Sequence, residues 1–204
     1  YLAEHARKFN PNVKVLPTGL DTGIYSGQSF SNNDANIRLV WIGSKATLKY
    51  LEEIGDVLEE IGTRYNNVVL RVISDEFIDF KNIAFENIKW TLENEGRDLA
   101  ECNIGISPLP DDNFTKGKCG FKILQYMAAG LAVVASPVGG NSEIVKDGEN
   151  GFWARNVNGW IEKLSTLIED SELAVKMGMR NLEAVKRYDI RVIDEKLYKL
   201  IWSV

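Results

Sequence analysis

Residues 103–136 read NIGISPLPDDNFTKGKCGFKILQYMAAGLAVVAS, and this stretch decides the fold class. It holds two continuous apolar runs, at 103–109 and 132–136, each typical of a strand buried on both faces. A helix is predicted between them, from about Gly120 to Ala129, because the apolar residues fall on one stripe: Leu124, Met127, Ala128 and Leu131. Strand, helix and strand in this order predict a βαβ unit with parallel strands.

The same alternation continues in both directions. Apolar runs predict further strands at 13–17, 37–43, 68–74, 87–91 and 151–154. Apolar periodicity predicts helices at 48–61, about 94–101 and in three closing stretches marked by Trp160, Leu173 and Ile190. Residues 22–36 lack periodicity and predict a loop. The pattern predicts an α/β fold, a Rossmann-like parallel sheet with helices on both faces. An antiparallel α+β domain would need polar alternation, which these strands lack.

Composition narrows the function classes. A chain of 204 residues with 45% hydrophobic residues can bury the core of one large domain or two small ones. The net charge of -5 argues against binding to nucleic acid. Cys102, Cys119 and the single His5 form no zinc or disulfide pattern, so a reducing, cytoplasmic setting is expected. No apolar run approaches membrane-spanning length, and the start at Tyr1 without a methionine suggests an excised fragment.

The loop at 115–120 is the first candidate ligand site, because ligands of parallel sheets bind beyond the carboxyl ends of the strands. Gly117 and Gly120 permit close backbone approach, and a helix N-terminus near Gly120 suits a phosphate. Lys116, Lys118 and Lys122 crowd the same place and repel one another unless an anion offsets them. A solvated basic turn is the alternative, and the position after a buried strand favours the phosphate site.

Two neighbouring loops are weaker candidates. Gly139 and Gly140 can leave amides facing a ligand, or they form a plain strand-to-helix turn. In GSKAT at 43–47, the residues Ser44 and Lys45 either donate to a phosphate or begin a helix with nothing bound. The chain contains neither G-x-G-x-x-G nor G-x-x-x-x-G-K-[ST], which argues against an NAD-dependent dehydrogenase and a P-loop NTPase.

Two further residues lie near this edge. Trp90 either lines a nucleobase pocket or packs in the core, and the core interpretation is preferred. Cys119 lies in the phosphate loop without a histidine to pair with it, so nucleophilic thiol catalysis is not expected.

The stretch KCGFKILQYMAAGLAVVASPVGGNSEIVKDGENGF at 118–152 closely resembles the donor-binding signature of retaining, GT-B-type glycosyltransferases, the glycosyl transferases group 1. LPTGLD at 16–21, LVWIGS at 39–44 and SELAVKMGMRNLEAVKRYDI at 171–190 extend the resemblance over almost the whole chain.

The resemblance implies a two-domain enzyme in which residues 1–204 form the C-terminal domain that holds a nucleotide-diphosphate sugar. It implies retaining transfer to an acceptor such as a polysaccharide or lipid-linked glycan, as in cell-envelope polysaccharide biosynthesis. The acceptor-binding N-terminal domain is absent from this chain, and any contact with the inner membrane face would be made through it. No cofactor or metal is implied, because basic side chains and helix amides stabilise the diphosphate leaving group.

The chain departs from the family signature at two places. Of the family's two glutamates, the ribose-binding one falls on Gln125, whose amide can still hydrogen-bond, and the sugar-binding one falls on Gly117. Asp111 or Asp112 is a candidate replacement for the latter. The family's basic pair after the first strand is also missing in its usual form, with Lys45 or Lys49 as candidates.

We expect Lys118 and Lys122, with the amides of Gly120 and Phe121, to hold the diphosphate. The expected donor-binding residues are Ser44, Lys45, Lys118, Cys119, Gly120, Phe121, Lys122, Gln125, Gly139 and Gly140, and no catalytic residue is assigned. Two other functions remain open: a non-catalytic nucleotide-sugar-binding module with a degenerate site, and a nucleotide-sugar epimerase, which the match around Gln125 disfavours. The fragment alone is expected to bind nucleotide without turnover.

Overall fold

The fold is a single six-stranded parallel sheet. The computed structural model describes residues 1–25 and 36–202. The strands are β1 (Ile37–Ile42), β2 (Val68–Ser74), β3 (Ala84–Lys89), β4 (Ile104–Ser107), β5 (Ala132–Ala135) and β6 (Phe152–Trp153). Their order is β3-β2-β1-β4-β5-β6, and every neighbouring pair is parallel. The predicted Rossmann-like α/β sheet is confirmed.

Helices cover both faces of the sheet. They are α1 (Leu2–Arg7), α2 (Lys45–Glu52), α3 (Gly55–Arg64), α4 (Glu95–Ala100), α5 (Phe121–Ala128), α6 (Gly140–Ile144), α7 (Val157–Glu169), α8 (Ser171–Val185) and α9 (Ile190–Trp202). The core falls into two clusters. One packs α2, α3 and α7 against the sheet, the other packs α4, α5 and α6, and α8 contributes to both.

Strand β1 shows how the sequence builds two cores from one apolar run. Its side chains alternate across the sheet, so Leu39 and Trp41 belong to one cluster while Val40 and Ile42 belong to the other. All four are at most 3% exposed. A strand buried on both faces therefore reads as continuously apolar, which is why 37–43 and 68–74 were correctly predicted from sequence.

The predicted strand at 13–17 is wrong. This segment has no regular structure, and Val15 is 65% exposed. Apolar residues alone do not make a strand without a hydrogen-bonding neighbour. The first pairing after it is at Leu20, whose amide donates to the Tyr188 carbonyl while its own carbonyl accepts from the Ile190 amide. In the predicted loop at 22–36, Thr22–Tyr25 form a 3₁₀ helix, and residues 26–35 lie outside the described part of the chain.

Two element boundaries also differ from the prediction. The single helix predicted at 48–61 is two helices, α2 and α3, separated at Glu53 and Ile54, yet the predicted apolar stripe is buried throughout. Strand β3 starts at Ala84 rather than at 87, because it is an exposed edge strand without a continuous apolar run. The buried Arg71 guanidinium on β2 binds Glu86 on β3 with an N···O distance of 2.8 Å, which secures this edge.

No helix among residues 1–25 and 36–202 has both the length and the apolar character that a membrane crossing requires.

Candidate functional site

The strand order reverses between β1 and β4, and a crevice opens where the loops after these two strands diverge. The loop after β1 contains Gly43 and Ser44, and the loop after β4 runs to the start of α5 at Phe121. The predicted phosphate loop therefore lies beside the carboxyl end of β1, at the position where open parallel sheets bind ligands.

The buried Tyr126 attaches α5 to β1 and β4, the two strands between which the strand order reverses. The Tyr126 hydroxyl accepts a hydrogen bond from the Ile42 amide at the end of β1 and donates one to the Ile106 carbonyl on β4, both at 3.1 Å. A Cβ at Gly105 would lie 2.4 Å from the Tyr126 ring, so the helix packs directly on the strand. The start of α5 is thus fixed relative to both central strands.

Gly120 begins α5 in a conformation that favours glycine. Its φ of 75° is left-handed, and a Cβ there would lie 2.8 Å from Ile144 Cδ1 and 3.0 Å from the Gly140 carbonyl carbon. The Ile123 and Leu124 amides both donate to the Gly120 carbonyl. Within the described residues, the amides of Phe121 and Lys122 have no acceptor, and they are the unpaired donors of this helix N-terminus.

Two cavities meet at the start of α5. The first, the Trp90 cavity, has a volume of about 590 Å³ and is lined by Ile42, Gly43, Ser44, Asp75, Trp90, Glu95, Phe121, Lys122 and Gln125. The second, the Lys118 cavity, has a volume of about 330 Å³ and is lined by Trp41, Thr47, Tyr50, Ser107, Pro108, Leu109, Gly117, Lys118, Cys119, Gly120, Phe121, Lys122 and Asn141. Phe121 and Lys122 line both cavities, so they form the boundary between them.

Trp90 lines a cavity rather than the core, so the preferred core interpretation was wrong. Its side chain is 44% exposed, and its Nε1 donates to Glu95 Oε2 at 2.7 Å. The other Glu95 oxygen accepts from the Tyr25 hydroxyl. Burial, followed by the hydrogen bond and charge of Glu95, raises the pKa of Tyr25 well above its ordinary value, so it stays a donor. Sequence reasoning missed Glu95 and Tyr25.

Gln125 and Ser44 both line the Trp90 cavity, and their role in donor binding stays a prediction. Gln125 lies one turn into α5 and is buried, while the exposed Ser44 precedes α2. Lys45 lies outside both cavities: its Nζ pairs with Glu76, and its amide donates to Asp75 Oδ1 at 2.7 Å. The structure therefore brings Ser44 and Gln125 together with Trp90 and leaves Lys45 at the surface.

Lys122 is the desolvated cation at the boundary. Its Nζ lies 5.2 Å from the centre of the Trp41 ring, and it makes no ion pair with any carboxylate of the described chain. Burial, and secondarily the charge of Lys118, lowers the pKa of Lys122 to about 8. Partial burial of an ammonium without a counter-charge is unfavourable, and a bound anion would offset it.

Lys118, Cys119 and Gly117 line the Lys118 cavity only. The Lys118 Nζ lies 4.9 Å from the centre of the Phe114 ring and 5.4 Å from that of the Tyr50 ring. The Cys119 thiol is exposed.

The third lysine of the predicted cluster, Lys116, is already neutralised, because its Nζ lies 2.9 Å from Asp111 Oδ1. Asp112 is likewise engaged, accepting from the Thr115 amide at 2.8 Å. Neither aspartate lines the Lys118 cavity beside Gly117.

Gly139 and Gly140 pack against the loop at 115–120. A Cβ at Gly139 would lie 2.5 Å from the Thr115 carbonyl oxygen, and one at Gly140 would lie 2.4 Å from the carbonyl of Cys119. The Gly140 amide donates to the Lys118 carbonyl at 2.8 Å. The double glycine allows the turn after β5 to pack against residues 115–120, and at least one of its amides is already used.

Among the residues that the structure describes, no three Asp, Glu, His or Cys side chains are grouped closely enough to hold a metal ion. The expectation of a metal-independent site stays a prediction.

Comparison with known proteins gives a family match and several relatives. The sequence model of the family described as glycosyl transferases group 1 matches residues 28–170. An N,N'-diacetylbacillosaminyl-diphospho-undecaprenol alpha-1,3-N-acetylgalactosaminyltransferase of Campylobacter jejuni is 28% identical over 104 residues, which are 50% of this chain and 26% of that protein. An uncharacterized glycosyltransferase of Methanocaldococcus jannaschii is 26% identical over 193 residues, 89% of this chain and 52% of that protein. The chain thus spans about half, or less, of these relatives.

Solved structures show the same fold. The C-terminal domain of a glycosyl transferase group 1 family protein from Francisella tularensis matches with a TM-score of 0.64 at 20% identity, covering 84% of this chain and all of that one (100%). HepE of Anabaena, crystallised with UDP and glucose, matches with a TM-score of 0.71 at 18% identity, covering 94% of this chain and 57% of that one. At these identities the likeness establishes the fold alone.

Proposed function

This chain belongs to the glycosyl transferases group 1 family, and we propose that it is the donor-binding domain of a retaining glycosyltransferase, with a nucleotide-diphosphate sugar held across the two cavities. The single observation that carries this proposal is Lys122. A desolvated ammonium without a carboxylate partner in the described chain lies where the two cavities meet, beside the unpaired amides of a helix N-terminus. This arrangement suits a diphosphate.

Each cavity has its own part in the proposal. The Trp90 cavity takes the nucleoside, with the indole face available to a base and the Gln125 amide available to the ribose hydroxyls. Lys122 and the amides of Phe121 and Lys122 take the diphosphate, and the Lys118 cavity takes the transferred sugar. Lys118, which the sequence also predicts at the diphosphate, is assigned here to the sugar side, because it does not line the Trp90 cavity. HepE, which shares the fold, was crystallised with UDP and glucose.

The chemistry asked of this domain is electrostatic. When the sugar leaves, negative charge develops on the diphosphate, and donors fixed by α5 stabilise it without needing a metal ion. Tyr126 keeps those donors in place, because it ties α5 to the central strands. The acceptor and the remaining catalytic groups belong to a facing domain, which is also where any contact with a membrane would be made. We place the reaction in the cytoplasm.

Nucleotide binding tests the proposal directly. Isothermal titration of this chain with UDP, GDP and ADP is expected to give binding to at least one of them. The variant Lys122→Gln is expected to weaken that binding about 10- to 100-fold, the effect of losing ~1.5–3 kcal/mol for a hydrogen bond to a charged group. Lys176→Gln, an exposed lysine on α8, is the matched control and should bind like the unmodified chain.

If Lys122→Gln and Lys176→Gln bound nucleotide with equal affinity, Lys122 would not be part of the binding site. If the chain bound none of the three nucleotides, the proposed donor site as a whole would be contradicted.

Turnover separates the enzyme from a non-catalytic module. Gly117 stands where the family signature has a glutamate, which is the feature that favours the second function. The full-length protein should release nucleoside diphosphate from a nucleotide sugar in the presence of acceptor extract. A protein that binds nucleotide tightly yet never turns over would be the module instead.

A further inference from the structure

The Lys118 cavity has an unusual charge balance. Two ammonium groups, those of Lys118 and Lys122, line it, and no carboxylate of the described chain does. The two aspartates of the loop after β4 are engaged elsewhere, since Asp111 pairs with Lys116 and Asp112 accepts from Thr115. The cavity is therefore positive in a chain whose net charge is -5.

The two lysines do not occupy equivalent places. Lys122 lines both cavities, so an anion at the boundary, between nucleoside and sugar, satisfies it. Lys118 lines the Lys118 cavity but not the Trp90 cavity. If one diphosphate binds Lys122 at the boundary between the two cavities, the charge of Lys118 remains available to a second group bound in the Lys118 cavity.

Aromatic rings hold the Lys118 ammonium in this position. Its Nζ lies 4.9 Å from the Phe114 ring centre and 5.4 Å from that of Tyr50, and the Tyr50 side chain is itself buried. Aromatic faces attract a cation without neutralising it. Lys118 is thus positioned and partly desolvated while its full charge remains available.

Two neutral hydrogen-bond donors that line the Lys118 cavity are already used within the protein. Asn141 is buried, and its Nδ2 already lies 3.2 Å from both Ser107 Oγ and the Ser136 carbonyl. The Thr47 hydroxyl donates to the Ser44 carbonyl. These neutral donors are therefore already used within the protein, and a carboxylate or phosphate in the cavity would bind the ammonium groups of Lys118 and Lys122 instead.

We propose that the Lys118 cavity is an anion subsite that receives a negatively charged group beyond the donor diphosphate, the carboxylate of a uronic-acid donor sugar. This inference rests on the proposed donor function. The same chemistry has a second source, a phosphate carried by the acceptor, and the experiment below separates the two.

The experiment compares UDP, UDP-glucose and UDP-glucuronate by isothermal titration of this chain, or the matching nucleotide series if another base binds. UDP-glucuronate is expected to bind about tenfold more tightly than UDP-glucose, equivalent to ~1.4 kcal/mol. Lys118→Gln should abolish this difference, so that both UDP-sugars bind with affinities within about twofold of each other, ~0.4 kcal/mol. Lys118→Arg, which keeps the charge, should retain the preference, and Lys176→Gln should change nothing.

A second titration adds glycerol phosphate to the UDP-saturated chain. Lys118-dependent binding of glycerol phosphate, without a preference for UDP-glucuronate, would assign the subsite to an acceptor phosphate. Lys118-independent binding, or none, together with equal affinities for the two UDP-sugars, would overturn the anion subsite. UDP is the reference throughout: its failure to bind would count against the donor function, whereas its binding without any discrimination would count against the subsite alone.

Discussion

The loops after β1 and after β4 each place lysines at the same edge of the sheet, yet the two environments are opposite. Lys45 follows β1, is 67% exposed and pairs with Glu76. Lys122 follows β4, is partly buried and has an aromatic ring but no carboxylate beside it in the described chain. A lysine at a strand end is therefore a good candidate for anion binding only when it is partly removed from water and no carboxylate of the protein pairs with it.

The largest effect is expected from disturbing the loop after β4 itself. Gly120→Ala forces a side chain into left-handed backbone and close to Ile144 Cδ1, at 2.8 Å. Displacing the amides of Phe121 and Lys122 should weaken nucleotide binding about 100-fold, the effect of losing two hydrogen bonds to a charged group at ~1.5 kcal/mol each. Gly148→Ala is the matched control, because its φ is 77° but a Cβ there meets nothing within 4 Å.

Gly148→Ala should lose about 1–2 kcal/mol of unfolding free energy for the left-handed residue, measured by urea denaturation, and Gly120→Ala should lose more because its Cβ also meets Ile144 and Gly140. Only Gly120→Ala should lose affinity in titration. Unchanged affinity in that variant would mean that the start of α5 does not contact the nucleotide.

A smaller effect is expected from pH, and it sharpens the contrast between the two lysines. The pKa of Lys122 is lowered to about 8, so its charge is lost as pH rises through 8. Nucleotide affinity should fall about tenfold between pH 8 and pH 9.5, in proportion to the protonated fraction. Lys45, whose pKa Glu76 raises, keeps its charge over this range.

The stability of the unliganded chain should change in the opposite direction. Between pH 8 and the unfolded lysine value of 10.5, the unfolded state binds more protons than the folded state at Lys122, so this group makes folding more favourable as pH rises. Titrations and thermal melts of the unmodified chain and of Lys122→Gln across pH 7 to about 9.5 check both signs. A pH-independent difference between the two proteins would contradict the lowered pKa.

The smallest effect is expected at Lys45. Lys45→Gln removes one exposed ion pair, which contributes about 0–1 kcal/mol to folding. Its affinity for nucleotide should stay within about twofold of the unmodified chain, because the side chain lines neither cavity. A tenfold loss of affinity in this variant would remove the contrast between the two loops.

The sequence predicted the sheet well where a strand is buried on both faces. Residues 68–74 were bounded correctly because every side chain there is apolar or paired inside the fold. Edge strand β3 was misplaced because its burial is partial, and 13–17 was overinterpreted because an apolar run does not reveal whether a neighbouring strand exists. The break between α2 and α3 leaves the apolar stripe intact, so periodicity could not detect it.

The candidate site was predictable only where its residues are close in sequence. Lys118, Gly120, Lys122 and Gln125 lie on one loop and helix, and their spacing carried the prediction. The pairing of Lys45 with Glu76 joins elements 31 residues apart, and Tyr25, Trp90 and Glu95 meet through contacts that no local pattern encodes. For the same reason, sequence could not tell that Lys116 is neutralised while Lys118 is not.

The Tyr126 hydroxyl, which joins β1 to β4 beneath α5, also determines how the domain would fail on heating. Its partners are the Ile42 amide and the Ile106 carbonyl, which lie on the two central strands, where opening requires the surrounding core to separate. The Lys122 end of α5 therefore belongs to the last cooperative unit to unfold rather than to a loop that frays early. Nucleotide affinity should persist until the domain melts, and the two should be lost in one transition.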